Sequence, residues 1–180
     1  MKHVLLSLFL IIFVIIANGC AQKGDDKMEL LFFTSELPST SEDDIESIVA
    51  DGLKDSKKIK SQVELYPVNI DKISIELVGR NGDIYFIDEE TAIHMIDGVS
   101  FYTLEKVAEN LDVSVPDEYK AVNSDTGETN VYAIPIENNS LLINKLGIKL
   151  KSPLVAMIPK YSGNKEESIE LLKFLSGSNH

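Results

Sequence analysis

Short apolar runs alternate with amphipathic segments along most of this chain, and this alternation constrains the fold more than any other feature. The runs MELLFFTS (28–35), QVELYPVN (62–69) and GDIYFIDEE (82–90) have the length and the β-branched or aromatic content of strands. Between the first two runs, four apolar residues from Ile45 to Leu53 recur at helical spacing. Strand–helix–strand order at this spacing predicts parallel strands joined by right-handed crossovers.

The second half of the chain continues the alternation. VYAIPIE (131–137) and LVAMIPK (154–160) are predicted strands, and NNSLLINKLGI (138–148) and SGNKEESIELLKFL (162–175) are predicted helices. TLEKVAENL (103–111) is a predicted short helix, and the polar residues 114–130 are predicted to form no regular element. We therefore expect one α/β domain over residues 28–176, a three-layer lobe with a mostly parallel sheet, followed by a disordered tail at 177–180.

Residues 70–82 allow two interpretations. The alternation of Ile73, Ile75 and Leu77 before Asn81-Gly82 is typical of a β-hairpin. A helix is favoured instead by an apolar face of Ile70, Ile73 and Leu77, by a Lys72–Glu76 pair four residues apart, and by Gly79 as a stop. The helix is preferred because it completes a second strand–helix unit, but the hairpin stays open.

The N-terminal apolar stretch from Val4 to Ala17 is too short to span a bilayer, which takes about 20 residues, and has the length of a signal-peptide core. The following Ala17-Asn18-Gly19-Cys20 resembles the bacterial lipobox. This resemblance implies cleavage after residues 1–19 and a diacylglyceryl group on Cys20, with residues 20–27 as lipidated cysteine and polar tether. The protein would then sit on the extracytoplasmic face of a bacterial cell membrane. An uncleaved N-terminal helix and secretion with a free thiol are the alternatives.

Charge restricts the partners of this chain. The net charge is −12, and Arg80 is the only arginine beside sixteen lysines. An acidic chain is repelled by phosphate backbones and by anionic lipid, so no nucleic-acid partner is expected and membrane attachment depends on the lipid. One cysteine allows neither an intramolecular disulfide nor a cysteine zinc site.

The inventory of reactive side chains gives no support for an enzyme. His3 lies in the signal, His180 is terminal, and His94 has apolar neighbours typical of a packed helix residue. The sequence contains no glycine-rich phosphate loop, no GxSxG and no HExxH, and the acidic run at 88–90 lacks the spacing of a calcium loop. We expect no catalytic residue, no metal and no cofactor.

Several stretches resemble the first lobe of bacterial extracytoplasmic solute-binding proteins, the lipoprotein receptors of ABC importers. They are LLFFTS, VELYPVN and Gly82-Asp83-Ile84-Tyr85, then YAIPIENNSLLINKLGI, and VAMIPKYSGNKEESIELLKFL as the closing strand and helix. The resemblance covers residues 28–176. Such receptors trap a solute between two lobes, whereas this chain has room for only one, so the resemblance implies a single wall of a cleft.

Ligands of open α/β sheets bind beyond the carboxyl ends of the strands. The residues predicted there as ligand-binding are Ser35, Glu36, Asn69, Asp88, Glu89, Lys160 and Tyr161. Tyr66 and Tyr161 would provide the stacking surface, because the chain has no tryptophan. The alternative is that these polar groups are solvated or cap helices. Two functions remain open: an accessory to uptake or sensing of a small solute such as a sugar, with an ABC permease as partner, or an interaction lipoprotein that docks to a membrane complex without a ligand.

Overall fold

The computed structural model of the protein describes residues 27–54, 56, 59–111 and 114–177. This part of the chain contains a five-stranded sheet in the order β2-β1-β3-β7-β6 and a separate hairpin of β4 and β5. The strands are β1 (Lys27–Phe33), β2 (Lys60–Tyr66), β3 (Ile84–Asp88), β4 (Lys120–Val122), β5 (Thr129–Val131), β6 (Ile134–Ile136) and β7 (Leu154–Met157). The predicted signal peptide, Cys20, the tether up to residue 26 and the last three residues lie outside the described residues.

Helices cover both faces of the sheet. They are α1 (Glu42–Gly52), α2 (Ile70–Gly79), α3 (Glu89–Ala92), α4 (Glu105–Ala108), α5 (Leu141–Leu146) and α6 (Lys165–Ser176). Helices α1, α4, α5 and α6 pack on one face, while α2, α3 and the hairpin pack on the other. The arrangement is the expected three-layer α/β fold. Within the described ranges, no helix is long and apolar enough to cross a membrane.

The two central strands show why the apolar runs became strands. Successive side chains of a strand point to opposite faces, so a strand with helices on both sides must be apolar throughout. Phe32 of β1 and Phe86 of β3 stack on one face with ring centroids 4.2 Å apart. Phe33 and Tyr85 stack on the other face at 5.9 Å, and all four side chains are fully buried. The strands predicted at 28–35 and 82–90 are therefore confirmed.

The sheet is mixed, whereas the sequence predicted a mostly parallel one. Strand β1 pairs in parallel with β2 and β3, but β7 pairs antiparallel with both β3 and β6. The short helix α5 is the reason, because its six residues span only about 9 Å. The side chain of Asn138 also holds Leu150 through two hydrogen bonds of 2.7 and 3.0 Å, so β7 begins at the side where β6 ended.

Helix α2 decides the ambiguous stretch in favour of the helix. The Asn69 side chain caps it by accepting a hydrogen bond of 2.9 Å from the Lys72 amide. The predicted Lys72–Glu76 pair forms. Two details differ from the prediction: Ile70 is 62% exposed instead of buried, and the left-handed residue that ends the helix is Arg80, with φ 56°, rather than Gly79.

The Glu76 carboxylate links stability to pH. Hydrogen bonds from Lys72 and from Asn81 hold the pKa of Glu76 below its usual 4.5. A lowered pKa stabilises the fold above pH 4.5, and this contribution is lost as the pH falls through the folded-state pKa. We expect Glu76→Gln to cost about 1 kcal/mol at pH 7 in urea unfolding and to converge with the unaltered protein below pH 4. Glu166→Gln, on the exposed first turn of α6, should follow the unaltered curve throughout; a constant offset for Glu76→Gln would contradict this linkage.

The region predicted to lack regular structure contains the hairpin. Strands β4 and β5 pair antiparallel, with Lys120 opposite Val131, and the predicted strand at 131–137 is divided between β5 and β6. Tyr119 and Tyr132 beside the hairpin are fully buried, so this polar segment covers a core. His94 was predicted as a packed helix residue but is exposed in the turn after α3.

Candidate functional site

Four strands finish at one side of the sheet, which we call the carboxyl edge. Strands β1, β2 and β3 are parallel, and β6 points the same way because two antiparallel pairings separate it from β3. Of the predicted ligand-binding residues, Ser35 and Glu36 follow β1, Asn69 precedes α2, and Asp88 and Glu89 lie at the end of β3. All five therefore lie at the carboxyl edge.

The prediction for Lys160 and Tyr161 is wrong in position. Because β7 runs opposite to its neighbours, these residues lie at the other side of the sheet, the amino edge, where β1, β2 and β3 begin. The Lys160 ammonium donates to the Gly98 carbonyl at 2.8 Å. The Tyr161 hydroxyl donates to the Asn81 carbonyl at 2.5 Å, and burial raises the pKa of Tyr161 to about 12. Both side chains therefore join loops of the amino edge.

An open cavity of about 290 Å³ lies at the carboxyl edge between the end of β6 and the start of β7. It is lined by Glu137, Asn138, Asn139, Lys151, Ser152 and Pro153. The Glu36 carboxylate accepts a hydrogen bond of 2.9 Å from the Lys151 amide, which fastens one wall to the loop after β1. The volume is at the lower end for small-molecule sites, which span roughly 300–1,000 Å³. Its carboxylate, amides, hydroxyl and ammonium can exchange hydrogen bonds with a small polar molecule.

Asp88 lies close to this cavity. The strand register puts Asp88 opposite Leu154 and Leu154 opposite Ile136, so one row of residues joins Asp88 to the cavity. Asp88 Oδ2 accepts a hydrogen bond of 3.2 Å from the Ser35 amide. Its other oxygen, Oδ1, is buried, and no donor among the described residues reaches it. Buried polar atoms are normally paired, so Oδ1 marks free acceptor capacity in this row.

Two other predicted residues have structural partners. Tyr119, which is fully buried, donates a hydrogen bond of 2.5 Å from its hydroxyl to Glu89, and burial followed by this hydrogen bond raises the pKa of Tyr119. Asn69 caps α2, as described above. Tyr66, predicted as a stacking surface, packs against Phe33 and lies under the Lys72 ammonium, 4.7 Å from the ring centroid. These three side chains support the carboxyl edge from the α2 and α3 side.

The Gly82-Asp83 pair has a structural role at the amino edge. Asp83 is only 3% exposed, and its two oxygens accept hydrogen bonds of 2.9 Å from the Glu29 amide and 2.7 Å from the Ser162 hydroxyl. Gly82 has φ 75°, and a Cβ there would lie 2.7 Å from a Leu31 methyl group. The pair therefore fastens β1, β3 and the turn after β7 to one another.

Sequence reasoning missed the cavity wall formed by residues 151–153 and the contact of Tyr119 with Glu89. Pro153, directly before a predicted strand, was the one available signal for a loop at this edge. No group of three potential metal-ligating side chains occurs within the described part of the chain. The carboxylates of the carboxyl edge are spread along its length, which suits hydrogen bonding better than metal coordination.

The chain is similar over nearly its whole length to one curated bacterial protein. That protein is named "Putative lipoprotein YteS" and comes from Bacillus subtilis (strain 168); it is 24% identical over 175 residues, which is 97% of each chain. The similarity therefore includes both the N-terminal segment and the α/β body. No protein-family model and no solved structure matches the chain.

Proposed function

We propose that this protein is an extracytoplasmic lipoprotein, anchored through lipid on Cys20, whose carboxyl edge binds a small polar solute such as a sugar. The lipobox-like Ala17-Asn18-Gly19-Cys20 supports the anchor, and so does the similarity to a relative named as a lipoprotein. Two acyl chains, at about 0.8 kcal/mol for each buried CH₂, hold a protein durably on a membrane.

The cavity at the carboxyl edge carries the binding proposal. It lies where open α/β sheets bind ligands, and its lining provides donors and acceptors in the mixture that a polyhydroxylated molecule requires. The unpaired Asp88 Oδ1 adds an acceptor in the same row. The resemblance to one lobe of a solute-binding receptor is also supported locally, because β7 and α6 pack back against β3 and α1, as its closing strand and helix would.

An open single wall buries a ligand incompletely, so we expect modest affinity from this chain alone. A second wall from a membrane partner, for which an ABC permease is the proposed candidate, would complete the site. The protein would then assist uptake or sensing of the solute without catalysing a reaction.

A thermal-shift series tests the cavity directly. A bound solute at 100 times its Kd stabilises the folded state by about 2.7 kcal/mol, which raises Tm by roughly 8 °C for a domain of this size. We expect such a shift with at least one of a panel of neutral and acidic sugars. The shift should fall in Glu137→Gln and Asp88→Asn and persist in Glu166→Gln, which removes the same charge at the other edge. No shift with any solute, or equal shifts in all variants, would refute the proposed site.

The exposed face of α2 favours a second candidate function, an interaction lipoprotein without a small ligand. Ile70, Ile75 and Val78 on this helix are 62%, 63% and 86% exposed. Such apolar exposure is typical of contact surfaces. This alternative predicts that a defined membrane protein co-purifies with the unaltered chain and is lost from Ile75→Ser with Val78→Ser. Solute-dependent Tm shifts would remain absent.

A further inference from the structure

Charge is distributed unequally between the two edges of the sheet. The segments that close the carboxyl edge contain nine acidic and three basic residues; they are residues 34–44, 67–72, 88–92, 137–141 and 147–153. The segments that close the amino edge beside β1, β2 and β3 contain six basic and three acidic residues; they are residues 27–29, 53–60 and 80–83. In a chain of net charge −12, this half of the amino edge is locally basic.

Most of the acidic charge on this half is already neutralised. Asp83 is buried in its hydrogen-bond network, and Glu29 lies 3.2 Å from Lys27 with its side chain 16% exposed. By contrast, Lys60 and Arg80 are exposed, and Lys60 is the strand partner of Lys27. Val78, the most exposed large apolar residue described, lies two residues before Arg80. We name Lys27, Lys60, Val78 and Arg80 the basic face.

The tether leads to this same face. Residues 20–26 precede Lys27, the first residue of β1, and seven residues span at most about 24 Å when fully extended. A lipid on Cys20 therefore holds the start of β1 close to the bilayer. The other half of the amino edge, beyond β7, carries Asp125 near Lys160 at 4.0 Å and Asp97 beside it in sequence order with Gly98, so its charge is less favourable for anionic lipid.

We propose that the basic face rests on the anionic lipid surface and orients the body so that the carboxyl edge points away from the membrane. This inference rests on the proposed lipid anchor and adds a defined contact to it. Attraction between basic side chains and an anionic leaflet acts only within about a Debye length, near 8 Å at physiological salt. The short tether keeps the basic face within reach of that field, whereas the net charge of the whole chain would repel it.

Site-specific quenching tests the orientation. The lipidated full chain is reconstituted in vesicles of phosphatidylcholine and phosphatidylglycerol that contain a nitroxide-headgroup lipid. A thiol dye is placed by Ser56→Cys at the amino edge or by Ser39→Cys at the carboxyl edge; both serines are part of turns. We expect the dye at residue 56 to be quenched about twofold more strongly, because the edges lie a strand's length apart.

Matched variants separate the charge contact from the tether. Lys60→Gln with Arg80→Asn removes two charges from the basic face, and asparagine tolerates the left-handed backbone at residue 80. The quenching difference should disappear in this variant, in vesicles without phosphatidylglycerol, and at 1 M salt, where the Debye length is about 3 Å. It should persist in Lys149→Gln with Lys151→Gln, which removes the same charge near the carboxyl edge.

Each remaining outcome overturns a defined claim. Equal quenching at residues 56 and 39 in the unaltered protein, or a difference that survives removal of the two charges, refutes the lipid contact and leaves the anchor intact. Failure of the unaltered chain to float with vesicles, together with an N-terminal peptide mass that lacks acyl chains, refutes the anchor and the orientation with it.

Discussion

Replacing Asp83 with alanine is expected to lower the free energy of unfolding by about 3 kcal/mol. The carboxylate is buried and accepts hydrogen bonds from the Glu29 amide and the Ser162 hydroxyl. Alanine removes both acceptors and leaves two buried donors without partners, and each unpaired buried group costs about 1–3 kcal/mol. Urea unfolding followed by far-UV circular dichroism measures the change, with the midpoint shifting at constant m value.

Two milder substitutions give this prediction a graded control. Asp83→Asn keeps one acceptor for the Glu29 amide and should cost about 1 kcal/mol, and Ser162→Ala should cost a similar amount because the carboxylate keeps its backbone partner. The order alanine, then asparagine at residue 83 identifies the hydrogen bonds as the cause. A loss below about 1 kcal/mol for Asp83→Ala would show that the network contributes little.

Replacing Cys20 with alanine is expected to move the protein from the membrane fraction to the soluble extracytoplasmic fraction. No helix among the described residues can span a membrane, so the proposed attachment depends on lipid at this position. Since the substitution would also block lipobox cleavage and retain the apolar N-terminal stretch, the variant must be exported with an ordinary cleavable signal peptide. Fractionation and the mass of the N-terminal peptide are the measurements.

The two alternatives for the N-terminus give different results in the same experiment. With its own signal, an uncleaved helix would retain residues 1–19 in the N-terminal peptide, and a secreted protein with a free thiol would react with maleimide at Cys20. Cys20→Ala protein that stays on the membrane after export and cleavage would contradict the lipid anchor. The matched chain with Cys20 and the same ordinary signal controls for export.

Elements decided by local pattern could be predicted from the sequence, and those decided by distant contacts could not. β1, α1, β3 and α6 have continuous apolar runs or helical apolar spacing, and the structure has them where the pattern predicts. The direction of β7 depends on the length of α5 and on the contact of Asn138 with Leu150, twelve residues apart. The hairpin escaped prediction because its three-residue strands are polar or half-buried.

The candidate site follows the same division. Ser35 and Asp88 were expected to meet because parallel strands finish at one edge, and the amide of one does donate to the carboxylate of the other. Lys160 and Tyr161 were assigned to that edge on the assumption of a parallel β7, so one reversed strand moved both residues to the opposite edge. The cavity could not be foreseen, because its wall at Lys151 is held by Glu36, 115 residues earlier.

The reversed strand β7 also determines how the protein can be handled in the laboratory. Because β7 ends at the amino edge, α6 starts beside β1, where the Asn164 side chain donates to the Lys27 carbonyl, and it finishes where the Gly177 carbonyl accepts from the Leu141 amide. The described chain thus enters at one edge and leaves at the other. An affinity tag or reporter fused after Gly177 would emerge beside the cavity, so fusion constructs for binding assays need a long spacer there.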